Sequence, residues 1–190
     1  MERRFIRRGF TLIELMIVVA IVGILSVLAA YGVRKYVANS KTAEARNSLG
    51  RIANGAIMAY EKENMGGTTL AQATSAGFSR TLCAGASAPV PSVASKIAGA
   101  KYQSSPTDWT VDSVAGSGFS CLHFTIDEPQ YYMYNYTTSG TSQVGDSFTA
   151  SANGDLNGDG VLSTFQLIGQ IGSGFVINVA PNMVEIQAEE

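Results

Sequence analysis

One carboxylate, Glu14, stands inside the longest apolar stretch of the chain. The stretch runs from Phe10 to Val33 as FTLIELMIVVAIVGILSVLAAYGV and carries no other charge. At ~1.5 Å per residue, a helix over this range is roughly 36 Å long, enough to cross a hydrocarbon core of ~30 Å. A carboxylate is costly in lipid unless a cation pairs with it, so the chemistry that Glu14 offers is ion pairing within a membrane.

A second set of polar side chains recurs at alternate positions between β-type segments near residues 155–163. Asp155, Asn157 and Asp159 precede Gly160, which is the spacing of the first half of an EF-hand loop. Gln166 occupies the position of the bidentate glutamate, so the loop is not a complete EF-hand. The expected calcium ligands are Asp155, Asn157, Asp159, Val161 and Ser163. The alternative is a polar β-turn without an ion, which Asn-Gly and Asp-Gly pairs form readily.

The other chemistry-bearing side chains do not assemble into a catalytic pattern. His123 is the single histidine and the chain has only two cysteines, so no zinc site with several histidines can form, and no catalytic triad is predicted. Asp127 and Glu128 are adjacent on a turn, and nothing places a substrate between them. The tyrosines at 131, 132, 134 and 136 are interpreted as strand packing. The sequence therefore predicts a protein that is not an enzyme.

The nine residues before the apolar stretch, MERRFIRRG, form a basic leader whose last residue is the small Gly9. A secretory signal is cut after its apolar core, whereas cleavage after Gly9 would remove the charges and keep the apolar part. Arg7-Arg8-Gly9, then Phe10-Thr11-Leu12-Ile13-Glu14, then LMIVVAIVGIL up to Leu25 resemble the processing signal of the type IV pilin family. The alternative is an ordinary signal anchor with a stray glutamate.

The resemblance implies a role for each matching residue. A prepilin peptidase would cut between Gly9 and Phe10 and methylate the new amine of Phe10. Glu14 would guide docking in a helical homopolymer through the Phe10 amine of a neighbouring subunit. Expected partners are that peptidase, an inner-membrane assembly platform and membrane lipid. The expected location is the bacterial inner membrane, in a single pass with a cytoplasmic N-terminus, and then the extracellular pilus. Many pilins carry a proline where this chain has Tyr31, so a kinked or melted helix is not carried over.

Composition and charge fit this picture. The chain has 190 residues and a formal net charge of −2, and loss of Glu2 and the four leader arginines takes that charge to −5. The remaining cations are scattered, so nothing points to nucleic acid. Cys83 and Cys121 are an even pair in the exported part, which favours one disulfide over two free thiols. That position differs from the usual pilin bridge, which ties down a C-terminal segment.

Hydrophobic periodicity predicts an α+β fold in which a long helix packs on an antiparallel sheet. The helix is expected from Phe10 to Asn64, with its apolar stripe at residues 45, 49, 52, 53, 56 and 60. A short helix is expected near 94–100. Strands are expected at Phe119–Ile126, Gln130–Thr137, Phe148–Ala152, Leu162–Gly169 and Phe175–Val179. The predicted segments are a leader (1–9), a polymerisation helix (10–33), an amphipathic helix (34–64), a connecting region (65–108), the sheet (109–181) and a loose tail (182–190).

Taken together, these features predict a structural subunit of a type IV pilus that supports adhesion, motility or related surface functions. A pseudopilin of a type II secretion system is the close alternative, since such proteins often carry a calcium loop. A membrane-anchored binding module that never polymerises is the alternative from another class.

Overall fold

The structure is a computed structural model, and it describes residues 9–62, 64–65, 78–112 and 116–188. The chain divides into two compact units, Met1–Asn39 and Ser40–Glu190. Helix α1, Leu12–Glu61, is continuous through the boundary between them. The expected leader, apart from Gly9, lies outside the described residues.

The second unit contains the amphipathic part of α1. Its buried residues recur every three or four positions, as a helix with one face on a core requires: Thr42, Ala45, Ser48, Leu49, Ile52, Ala53, Ala56 and Tyr60. This set includes the whole stripe predicted from the sequence. The helix ends at Glu61, three residues before the expected end.

An antiparallel sheet forms the other layer of this unit and confirms the α+β class. Its long strands are β3 (Tyr132–Thr138), β4 (Ser147–Gly154) and β5 (Ser163–Ile171), in the order β3-β4-β5. Two short strands, β6 (Ile177–Val179) and β7 (Val184–Ile186), both pair with β5. Earlier in the chain, β1 (Asn64–Met65) pairs with β2 (Phe78–Ser79) in a separate two-stranded ladder.

Side-chain size alternates across the sheet along rows that face the core. Tyr134 pairs with Ala152 and Ala152 with Phe165, and the next row is Tyr136, Ala150 and Leu167. All six side chains are buried. Small residues on the central strand leave room for the rings on either side, and so the sheet and the apolar face of α1 share one core cluster.

The helices that the structure describes between α1 and β3 are short. A 3-10 helix at Ala94–Ile97 confirms the short helix expected there. Helices α2 (Pro106–Trp109) and α3 (Gly118–Cys121) follow. Trp109 packs edge-on against Phe119 and Phe124, with ring centroids 5.0 and 5.3 Å apart. Its indole N–H donates to the Ser104 hydroxyl at 3.0 Å.

Two sequence-based expectations about strands are wrong. The segment Phe119–Ile126 is not a strand, because Phe119 and Phe124 both bury against Trp109 through a helical turn and His123 has a φ of 49°. The five-stranded sheet therefore begins at Tyr132 rather than near residue 109. The segment 182–190, expected to be loose, contains β7 on the edge of β5.

Candidate functional site

Glu14 lies in the first turn of α1, where it closes the start of the helix. The N–H and the hydroxyl of Thr11 both donate to Oε2 of Glu14, at 2.9 and 2.7 Å, and the N–H of Glu14 donates to Oγ1 of Thr11 at 3.3 Å. This reciprocal arrangement is a capping box, which satisfies N–H groups that a helix start leaves without partners. Thr11 therefore holds the Glu14 carboxylate in a defined place at the helix end.

The expected processing site immediately precedes this cap. Gly9, Phe10 and Thr11 are outside regular structure, and Gly9 and Phe10 are exposed. The Phe10 side chain is 83% exposed, so neither the Gly9–Phe10 peptide bond nor the ring is covered by the described residues. Cleavage and methylation at this bond stay predictions.

The side chains of α1 within the first unit form an apolar surface that none of the described residues covers. Every residue from Leu12 to Val33 is exposed, including the aliphatic ones. Of the described part of the chain, α1 is the helix whose length and composition would let it cross a membrane, a property that signal sequences share. An exposed apolar surface of this size requires lipid or other protein to cover it.

The loop expected to bind calcium joins the antiparallel strands β4 and β5. Its carboxylates are engaged with the loop itself. The two carboxylate oxygens of Asp155 accept from the N–H groups of Gly158 and Gly160, at 2.6 and 3.1 Å. Asp159 accepts from the N–H of Val161 at 2.8 Å and from the side-chain amide of Asn157 at 3.1 Å.

Ser163 differs from the other expected ligands in its position. It is buried in β5, and its hydroxyl donates to the carbonyl of Gly154 at 3.0 Å. Among the described residues, no group of three or more His, Cys, Asp or Glu side chains surrounds a possible metal position. Asp155, Asn157, Asp159 and the Val161 carbonyl would be the groups to hold an ion, and calcium binding here stays a prediction.

Cys83 and Cys121 form a disulfide, with Cα atoms 5.8 Å apart. The disulfide closes a loop that contains α2 and ends at Cys121, the last residue of α3. An isolated parallel β-bridge pairs Ala84 with Ser117 next to the disulfide. The disulfide predicted from the two cysteines is therefore present, and it fixes the middle of the chain rather than its C-terminus.

A comparison with known proteins finds a family model that matches the N-terminal segment. Residues 4–30 match the family model described as the prokaryotic N-terminal methylation motif. The matched range covers the basic leader, the Gly9–Phe10 bond, the Thr11–Glu14 cap and most of the apolar helix. Through this segment, the chain is similar to the type IV pilin family.

Two curated relatives agree with the family. The chain is 42% identical over 77 residues to the fimbrial protein EcpC of Eikenella corrodens, a match that covers 40% of this chain and 48% of the relative. It is 60% identical over 42 residues to the type IV major pilin protein PilA of Myxococcus xanthus, covering 22% of this chain and 19% of the relative. The matches thus span about half of one relative and about a fifth of the other. No solved structure matches the chain.

The sequence analysis did not identify two residues of this chain that take part in the contacts described above. Thr11 could have been found, because Thr-x-x-Glu at 11–14 is the pattern of a capping box. Glu44 could not, because its partners are the N–H of Tyr131 and the hydroxyl of Tyr134, distant in the chain. His123 is exposed on a turn, and Tyr132, Tyr134 and Tyr136 are core residues, as strand packing predicts.

Proposed function

We propose that this chain is a structural subunit of a type IV pilus filament. The observation that carries the proposal is the exposed apolar part of α1, which begins with a capped carboxylate at Glu14 inside a matched N-terminal methylation motif. The family is a structural one, and we assign no reaction to the chain. Adhesion and motility would be properties of the assembled filament.

Processing would create the group that Glu14 needs. Cleavage between Gly9 and Phe10 by a prepilin peptidase removes the leader arginines and leaves a free amine on Phe10, which the same enzyme would methylate. In the uncleaved chain the Glu14 carboxylate has only the N–H and hydroxyl of Thr11 as partners among the described residues. An ammonium in an apolar surrounding would pair with it far more strongly than these neutral donors.

This pairing has a specific energetic role in assembly. Apolar side chains gain little hydrophobic free energy when they leave lipid for a bundle of other apolar helices, since lipid tails are equally apolar. Packing of residues 15–28 against the helices of neighbouring subunits would bring the helices into close contact but would not fix their register. A carboxylate that meets the Phe10 amine of a neighbouring copy supplies both register and a favourable term specific to assembly.

The proposed location and partners follow from the same segment. The apolar helix would hold the subunit in the bacterial inner membrane, with the arginine-rich leader on the cytoplasmic side. An inner-membrane assembly platform would then move subunits from lipid into the extracellular filament. The relatives are a fimbrial protein and a major pilin by name, so no observation favours the pseudopilin alternative.

Two measurements test the proposal. Mass spectrometry of sheared surface filaments should give a mature N-terminus at Phe10 carrying one methyl group. Glu14→Ala should abolish filaments while the protein stays in the membrane fraction, and Glu61→Ala, at the other end of α1, should leave them intact. Mature protein that begins at Met1, or filaments unchanged by Glu14→Ala, would contradict the proposal.

A further inference from the structure

Two lysines lie against one tyrosine ring in the second unit. The Nζ atoms of Lys41, on α1, and Lys101, in the connecting region, are 4.7 and 4.5 Å from the centroid of the Tyr131 ring. We call Lys41, Lys101 and Tyr131 the lysine–tyrosine cluster. A ring face attracts a cation, but it carries no net charge to neutralise one. Two like charges are therefore held on one small patch.

The carboxylate nearby does not neutralise this patch. Glu44 acts electrostatically on Lys101, but its Oε1 accepts from the N–H of Tyr131 at 3.0 Å and from the hydroxyl of Tyr134 at 3.1 Å. Within the described ranges, no carboxylate oxygen lies within the 4.0 Å of an ion pair from Lys41 or Lys101. One half-buried carboxylate for two ammonium groups leaves an excess positive charge.

Lys96 makes the same kind of contact with a tyrosine ring, but a carboxylate balances its charge. Its Nζ lies 5.2 Å from the centroid of the Tyr102 ring, and the Tyr102 hydroxyl donates to Asp108 at 2.9 Å. Asp108 also interacts electrostatically with Lys96. Lys96 thus has one carboxylate, Asp108, for one ammonium, whereas the lysine–tyrosine cluster has one carboxylate, Glu44, for two ammonium groups.

The distribution of charge along the chain indicates where a carboxylate could come from. Residues 102–190 contain ten aspartates and glutamates and not one lysine or arginine. Residues 10–101 contain nine lysines and arginines and four carboxylates. Residues 102–190 of a second copy could thus offer carboxylates to the cationic half of the first, and charge patterns of this kind set which faces of partners meet.

We propose that the lysine–tyrosine cluster is a docking site for a carboxylate from residues 102–190 of a second copy of this chain. The inference rests on the proposed function, since it names a contact between the second units of neighbouring subunits in the filament. Exposed candidates for the incoming group are Asp127, Glu128 and Asp159. The contact would be screened by salt, unlike the packing of apolar helices.

Charge reversal tests the proposal in cells that assemble this chain. The double variant Lys41→Glu/Lys101→Glu should lower the yield of sheared filaments at least about tenfold, because it places like charges across the contact. The matched control Lys96→Glu reverses another lysine on a tyrosine ring and should leave the yield unchanged. Equal yields from the double variant and the parent, or equal losses from the double variant and the control, would overturn the proposal.

A zero-length carbodiimide cross-link gives a second readout that does not depend on variants. Parent filaments treated with the reagent and dissolved in detergent should give a dimer whose cross-linked peptides join Lys41 or Lys101 to an acidic residue between 102 and 190. Dimers that are cross-linked only elsewhere would overturn the proposal.

Two further results separate the possible failures. If the double variant assembles normally but loses its retention in nanodiscs of anionic lipid relative to neutral lipid, the cluster binds headgroups and the proposal is wrong. If the parent strain makes no filaments at all, the proposed function fails before the docking site is tested. If the double variant unfolds at the same temperature as the parent chain, its lower filament yield is not caused by a loss of folding.

Discussion

Arg46 and Glu185, which lie 139 residues apart in the chain, form a bidentate ion pair. Nε and Nη2 of Arg46 donate to Oε1 and Oε2 of Glu185, each at 3.0 Å. The pair joins α1 to β7, a strand of three exposed residues at the edge of the sheet. The disulfide lies in the middle of the chain and does not hold the C-terminal segment. The Arg46–Glu185 pair links that segment to the helix.

Removal of the pair should loosen β7 rather than the whole fold. Both side chains are partly exposed, so Arg46→Ala should cost only about 0.5–1 kcal/mol of unfolding free energy. Hydrogen exchange should accelerate at residues 184–186 and stay unchanged in β4. A double-mutant cycle with Glu185→Gln measures the coupling, and Arg51→Ala, whose partner is the carbonyl of Thr125, serves as the control. Equal exchange in parent and variant would contradict this role.

Stability should depend on pH through Glu44. Burial raises its carboxyl pKa, and hydrogen bonds from Tyr131 and Tyr134 together with the charge of Lys101 oppose that rise. The folded state therefore holds the proton to a higher pH than the unfolded state, so this group's stabilisation is present at low pH and is lost as pH rises through its folded pKa. Chemical denaturation from about pH 4 upward should show that loss.

The variant Glu44→Gln provides the control for this pH dependence. It keeps an oxygen that accepts from the Tyr131 N–H and removes the titrating charge. Its unfolding free energy should lack the decrease that the parent shows across the carboxyl range. An identical pH profile in parent and variant would show that Glu44 does not set that dependence.

Loss of the disulfide should destabilise the second unit substantially. Replacement of both cysteines by serine removes a cross-link between positions 38 residues apart, which costs about 2–4 kcal/mol in typical proteins. The full chain in detergent should unfold at least about 5 °C lower, measured through the fluorescence of the buried Trp109. The parent under reducing conditions should behave like the variant. An unchanged transition in both would contradict this prediction.

Calcium should raise the unfolding temperature if the loop between β4 and β5 binds it. Millimolar calcium should shift the transition of the full chain upward by about 2–4 °C relative to chelator. Asp159→Asn should remove the shift, because it takes away the exposed carboxylate of the loop. Asp155 is unsuitable for this test, since its carboxylate holds the loop amides of Gly158 and Gly160. Identical transitions with chelator and calcium would rule the site out.

Local patterns determined a large part of this protein. The leader and the apolar stretch need only adjacent residues to be recognised, and the stripe from Ala45 to Tyr60 needs only the 3.6-residue period of a helix. The strands β3, β4 and β5 were predicted from short runs rich in β-branched and aromatic residues between turn signals, and the disulfide from the even number of cysteines. These features are encoded over a few neighbouring positions, and so the sequence alone could indicate them.

Tertiary structure decided the remainder, because it depends on contacts between distant residues. The sequence predicts Phe119 and Phe124 to be strand residues, but in the structure both rings pack against Trp109. Strand β7 forms where Glu185 pairs with Arg46 and lies opposite Phe165. Two lysines from separate segments share the Tyr131 ring, and no spacing in the sequence predicts that. Side-chain periodicity fixes which face of an element is buried, whereas only packing fixes which partner buries it.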